Sequence, residues 1–265
     1  MKKCFTINCM RNAEDFLGYH ELIEKGIYQG VEIFYPYNVS KEQAEFYTTS
    51  ISKLKNKFPN LEMVMHLPHG KQNSLTDEYL ENSYNLMIDA IEYADRFGIK
   101  KLTLHLGSVK AEKERSLYIV EISNVLRKLC EYSSKYGMFL MIENMPGTNE
   151  LGVGVDELLE IIQRTNCENL KFILDTGHAN VANVSIPELI YTLKDYLFHL
   201  HFNDNDGVKD QHKRMHQGNI NFKEMFIALD KIGYNELHCM EVIFHNYNEL
   251  YEFSSDLDIY KKRAV

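Results

Sequence analysis

The feature that most narrows the fold is an alternation running the length of the chain. Short apolar runs fall at residues 4–8, 30–34, 61–66, 101–105, 139–143, 171–175, 197–201 and 237–242, each the length of a strand buried on both faces. Between them lie segments with helical spacing. Leu80, Tyr84, Met87, Ile88 and Ile91 make one stripe, and Ile122, Val125, Leu126 and Leu129 a second. Val155, Leu158, Leu159 and Ile162 make a third, and Phe222, Met225, Phe226 and Leu229 a fourth. Gly98, Gly137 and Gly233 each follow such a segment and precede the next strand, where a helix C-cap belongs. Eight units in 265 residues give a repeat of ~33 residues, which predicts a (β/α)8 TIM barrel. A doubly wound sheet uses fewer strands at this length, and no Gly-x-Gly-x-x-Gly follows the first strand. No linker or compositional break divides the chain, so residues 1–265 read as a single TIM-barrel domain.

Composition excludes several classes of function. With 17 Tyr, 14 Phe and no polar low-complexity tract, the chain can fill a core and is not disordered. No apolar run approaches the roughly 18 residues of a membrane span, and the opening MKKCFTINCM is too short and polar for a signal peptide. Five cysteines (Cys4, Cys9, Cys130, Cys167, Cys239), odd in number and without a Cys-x-x-Cys pair, read as incidental thiols of a cytoplasmic protein. A net charge of −9 counts against a dedicated nucleic-acid binder, although a locally basic face is compatible with it. Long helical segments such as 112–136 can pack a dimer as readily as face solvent, which leaves a homo-oligomer open.

The chemistry lies at the strand ends. From the third run onward these are His66, His105, Glu143, Asp175, His201 and Glu241, in MVMH, LTLH, LMIE, FILD, FHLH and HCME. In a barrel the C-terminal strand ends converge on one mouth, so these six ionisable groups share one small space. Carboxylates and imidazoles crowded there repel or are desolvated unless a cation sits among them. A His and Asp/Glu donor set suits zinc, manganese or iron. Three further candidates stand in loops just beyond: His178 in DTGHAN, and Asp210 and His212 in KDQHKRMHQG. Nine donors are enough for one to three divalent ions. His199 shares the parity of His201 one layer deeper and reads as a supporting residue, whereas His238 has the opposite parity to Glu241 and faces the helices. Tyr35, Tyr37 and Tyr47 either wall the pocket or pack its loops.

The segments HLPHG, LTLHLGS, MIENMPG, ILDTGHAN, HLHFNDNDG, DQH with Gly218, and CMEV resemble the xylose isomerase-like TIM-barrel superfamily. The likeness spans about residues 30–245. That superfamily holds sugar and sugar-phosphate isomerases and epimerases, dehydratases and endonuclease IV. One position departs from the pattern, since His216 stands where a glycine is usual. In the single-metal members, the resemblance implies that Glu143, Asp175, His201 and Glu241 bind one ion. Glu143 and Glu241 then act as the catalytic acid and base on a small carbohydrate, and His66, His105 and His178 bind substrate. No organic cofactor is implied. The alternative is a zinc phosphodiesterase of the endonuclease IV kind acting on abasic-site DNA. There His66, His105 and Glu143 bind one ion, Asp175, His201 and Glu241 a second, and His178, Asp210 and His212 a third. The loop HLPHGKQNS offers no bulky apolar wedge for opening a duplex. Arg11, Lys71, Lys110, Lys209, Lys213 and Arg214 near the mouth suit a sugar phosphate equally well. The preferred expectation is therefore the metal-dependent isomerase or epimerase, with nucleic acid disfavoured as a partner.

Overall fold

A computed structural model describes residues 1–264. Eight parallel strands close into a barrel in sequence order: β1 (Lys2–Ile7), β2 (Gly30–Phe34), β3 (Glu62–His66), β4 (Lys101–Leu104), β5 (Phe139–Glu143), β6 (Leu170–Asp175), β7 (Leu197–Phe202) and β8 (Leu237–Met240). The ring is sealed where β1 pairs with β8, with Cys4 opposite Cys239. Helices alternate with the strands: α1 (Ala13–Glu24), α2 (Lys41–Lys57), α3 (Leu80–Asp95), α4 (Arg115–Ser134) and α5 (Val155–Thr165). They continue as α6 (Thr176–Val181), α7 (Ile186–Thr192), α8 (Phe222–Ile232) and α9 (Glu249–Ala264). The four apolar stripes read from the sequence lie in α3, α4, α5 and α8.

Because successive strand residues face opposite sides, each apolar run feeds two cores. Phe5, Ile7, Val31, Ile33, Leu102 and Leu104 pack under the helices in one large cluster. Cys4, Val64, Met141, Ile173, Leu237 and Cys239 form a smaller cluster that plugs the barrel axis. At the foot of the barrel Lys101 reaches Glu62 at 2.7 Å and Glu236 at 2.6 Å. The interior is thus a polar foot, an apolar plug and an ionisable mouth.

Local signals set the element ends. Asn12 and Asp15 form a capping box at the start of α1, and Ser40 and Ser185 cap α2 and α7. Gly98, Gly137 and Gly233 take φ of +65°, +62° and +70°, the left-handed conformation a helix stop needs. Two expectations are corrected. Runs 101–105 and 237–242 end early, β4 at Leu104 and β8 at Met240, so His105 and Glu241 stand just past the strand ends, Glu241 still donating its N–H to the Phe202 carbonyl at 3.1 Å. His178 is not in a loop but in α6, because the Asp175 carboxylate accepts its backbone N–H at 2.7 Å and caps that helix. No helix among the described residues is long and apolar enough to cross a membrane.

The axial plug has a measurable weight. Met141 is fully buried, so Met141→Ala leaves a cavity and is expected to lower unfolding stability by roughly 2–5 kcal/mol. An unchanged urea midpoint would show that the plug collapses freely.

Candidate metal centre at the barrel mouth

The nine residues singled out in the sequence meet at the C-terminal rim in three groups. Donor atoms of His66, His105 and Glu143 lie within 4.8 Å of one another, as do those of Glu143, Asp175, His201 and Glu241, and those of His178, Asp210 and His212. Glu143 joins the first two groups. Its Oε2 faces His105 Nε2 at 3.0 Å and His66 Nε2 at 3.7 Å, and its Oε1 faces His201 Nδ1 at 3.2 Å. Glu241 Oε2 lies 3.1 Å from the same His201 nitrogen. Asp210 Oδ2 lies 3.3 Å from His178 Nε2 and 3.0 Å from His212 Nε2.

The outer nitrogens are spoken for. His66 Nδ1 pairs with the Leu67 carbonyl at 2.8 Å, His178 Nδ1 with the Asn144 carbonyl at 2.9 Å, and His212 Nδ1 with the Glu241 carbonyl at 3.1 Å. A ring that donates one N–H outward presents the lone pair of its other nitrogen inward, which is how metal-binding histidines are held. The donor set and its orientation therefore fit a divalent ion.

A family model for the xylose isomerase-like TIM barrel matches residues 22–263. The chain belongs to this family. Among relatives of this xylose isomerase-like barrel, an uncharacterized protein of Methanocaldococcus jannaschii is 30% identical over 200 residues, 72% of this chain and 67% of its own length. A probable endonuclease 4 of Mycoplasma mobile is 27% identical over 213 residues, 75% of this chain and 72% of that protein. Among solved structures, a D-tagatose 3-epimerase-like protein superimposes with a TM-score of 0.79 at 25% identity, covering 100% of this chain and 98% of the other.

Electrostatics in the xylose isomerase-like barrel follow from crowding. Burial pushes the Glu143 carboxyl up, but the facing His201 and His105 rings hold it well below the usual range. Burial also opposes charge on His201, yet Glu241, Glu32 and Glu143 keep it well above an ordinary imidazole. Burial opposes His178 and His212 too, but Asp175 and Asp210 hold His178 well up, and Asp210 and Glu241 raise His212 to about 10. Asp175 is pushed up to about 7, chiefly by burial. Without a metal, protons on imidazoles balance the carboxylates; a dication would supply the same compensation.

The sequence reading missed several residues here. Glu32 on β2 is fully buried within the barrel and touches His199 and His201; its signal was a carboxylate inside the apolar run GVEIF. His69, the second histidine of HLPHG, packs against the rings of His66 and His105, and its buried Nδ1 has no hydrogen-bond partner. Burial and those two neighbours push its pKa down to about 3, so it is neutral. Asn144 ties β5 to β6, its amide donating to the Asp175 carbonyl and accepting the Asp175 N–H. Asn203 donates to Asp175 Oδ2 at 2.8 Å.

The remaining expectations resolve as packing. His199 and His201 reach one carboxylate, as their shared parity requires, and His238 stacks on Phe202 and Phe226 on the helix side. Tyr47 donates to the Ile7 carbonyl, Tyr37 bonds to the backbone of His69, and Tyr35 packs edge-on against Tyr93. Tyr47, in α2, thus ties the ends of β1 and β2, accepting the Phe34 N–H as well, while Tyr35 and Tyr37 pack the segment after β2. His216 takes the glycine-like φ of +79° with its ring against Tyr260, so the loop keeps its course despite the missing glycine. Gly218 is needed, because a Cβ there would meet the Asn205 carbonyl at 2.1 Å.

Asn144→Ala removes both bonds to the Asp175 backbone and leaves its N–H and C=O buried without partners. We expect a loss of about 2–4 kcal/mol in chemical denaturation, well beyond an ordinary polar-to-alanine change.

Proposed function

We propose that this chain is a divalent-metal-dependent isomerase or epimerase of a small sugar or sugar phosphate. The reading is carried by the convergence of Glu143, Asp175, His201 and Glu241 on one ion-sized gap. Beside that gap lies a cavity of about 240 Å³ lined by His69, Lys71, Ser74, Ser108 and Glu150 with His105, His178 and Asp210. Its size and hydrogen-bonding walls suit a small polyol.

When bound, zinc or manganese polarises a carbonyl and its adjacent hydroxyl, so that the neighbouring C–H becomes acidic. Glu143 and Glu241 stand at the ends of β5 and β8 and serve as the catalytic pair. One carboxylate takes the proton from carbon and the other returns one, on the same face or the opposite face. His66, His105 and His178 hold hydroxyls of the substrate, and Lys71 is placed for a phosphate. Three of the six rim cations are engaged already. Arg214 is clamped by Asp256 and Glu252, Lys110 by Glu78 at 2.5 Å, and Arg11 lies over the Phe244 ring at 3.7 Å. A net charge of −9 adds to the case against a DNA backbone as substrate.

One observation favours a second reading. The His178–Asp210–His212 group, together with Glu143 bridging two others, supports three ions and a zinc phosphodiesterase, and the Mycoplasma mobile relative is a probable endonuclease 4.

Protein prepared without chelators is expected to retain at least one equivalent of zinc or manganese by elemental analysis. Metal uptake at the four-residue site must displace the protons of Asp175 and His201, so apparent affinity should rise with pH through about 7 and go on rising into the higher range where His201 titrates. Affinity that fell with pH, or a metal-free protein, would sink the metal centre. Turnover is tested on ketoses and ketose phosphates by deuterium exchange from solvent, alongside an oligonucleotide with an abasic site. Exchange that falls roughly 10²–10⁴-fold in Glu143→Gln supports the isomerase; nicking without exchange assigns the phosphodiesterase.

A further inference from the structure

We propose that Glu32 is the positioning residue of the metal centre, holding His201 so that it alone among the candidate imidazoles binds through Nδ1. This rests on the metal-centre reading above and extends it to a residue one layer beneath the donors.

Glu32 enters the barrel from β2, fully buried just above the apolar plug. A lone carboxylate there would be strongly disfavoured, so its partners are its reason for being tolerated. The Thr103 hydroxyl donates to Oε1 at 2.8 Å. On Oε2, His201 Nε2 lies at 2.7 Å and His199 Nε2 at 2.9 Å. Three donors from β4 and β7 thus fix the carboxylate from two sides, and it in turn occupies the inner nitrogen of His201. Only Nδ1 remains to face Glu143 Oε1 and Glu241 Oε2, at 3.2 and 3.1 Å.

The contrast with the other rings is the core of the argument. His66, His178 and His212 are braced through Nδ1 by backbone carbonyls and present Nε2. His201 is the reverse, and its brace is a carboxylate. A carboxylate on the outer N–H fixes the tautomer, sets the ring angle and makes the other nitrogen a stronger donor. His199 shares the same oxygen while its Nδ1 has no hydrogen-bond partner. It is therefore placed to hold Glu32 and not to bind an ion itself.

Glu32→Gln keeps the shape and its amide oxygen can still accept both imidazole N–H groups, but it removes the negative charge that makes the free nitrogen of His201 a stronger donor. We expect the metal-free variant to melt close to wild type, while its cobalt dissociation constant, read by chelator competition, weakens roughly 10–100-fold. The cobalt d–d bands should shift as the His201 donor weakens. Thr103→Val, which removes one of the three bonds holding the carboxylate, should weaken cobalt binding in the same direction but by less. Wild-type affinity and spectrum in Glu32→Gln would overturn the proposal and leave the metal centre standing, whereas a wild-type protein that binds no cobalt would overturn both. A sulfur-to-cobalt band lost in Cys239→Ser would also overturn it, because Glu32, His199, His201 and Cys239 have donor atoms within 4.8 Å and Glu32 would then be a ligand itself. If Glu32→Gln fails to fold, nitrogen-15 histidine spectra of the zinc-loaded wild type decide the matter. One ring metallated at Nδ1 and protonated at Nε2 supports the proposal, and metallation through Nε2 alone overturns it.

Discussion

Everything at the barrel mouth depends on one buried carboxylate. Glu143 is almost fully excluded from water, yet four imidazoles, those of His66, His105, His178 and His201, stand within 3.7 Å of its two oxygens. A carboxylate so placed is stable only as the hub of a compensated network. The compensation comes from four elements at once, β3, the segment after β4, α6 and β7, so the hub also ties together parts far apart in the chain. The closed ring makes this feasible, because each strand delivers its last inward side chain to the same few ångströms.

The barrel arranges its interior by depth. Charged residues at the foot, around Lys101, and at the mouth, around Glu143, are separated by the Cys4–Val64–Met141–Ile173 plug. Glu32 lies between plug and mouth, fully buried, and reaches up to the imidazoles of β7. Such layering keeps solvent on one side of the chemistry and gives the donors above it a rigid seat.

The barrel and the ionisable side chains that gather at its mouth were legible in the sequence for the same reason. Strands buried on both faces read as unbroken apolar runs, and the polar residue that ends each run marks the mouth. His66, Glu143 and Asp175 end β3, β5 and β6, and their positions follow from strand length alone. The supporting residues were less legible because their roles are relational. Glu32 looks like an interruption of an apolar run until β2 is set beside His199 and His201, and nothing in MIEN says that Asn144 spans two strands. His178 was misplaced in a loop because α6 is a single short turn, held by the Asp175 cap and not by any apolar periodicity. His216 could not be judged from its residue type, since left-handed backbone is uncommon outside glycine and only the coordinates show it adopted.

The two loops that close the site are stitched to each other. His212 leans its Nδ1 on the Glu241 carbonyl, and the Ile243 N–H donates to the His212 carbonyl at 3.0 Å. The segment after β7 and the segment after β8 are therefore tied into one unit. Lengthening either one shifts a side chain of the other, so a descendant of this barrel could widen its entrance on that side only by surrendering the registry between the Glu241 group and the His178–Asp210–His212 group.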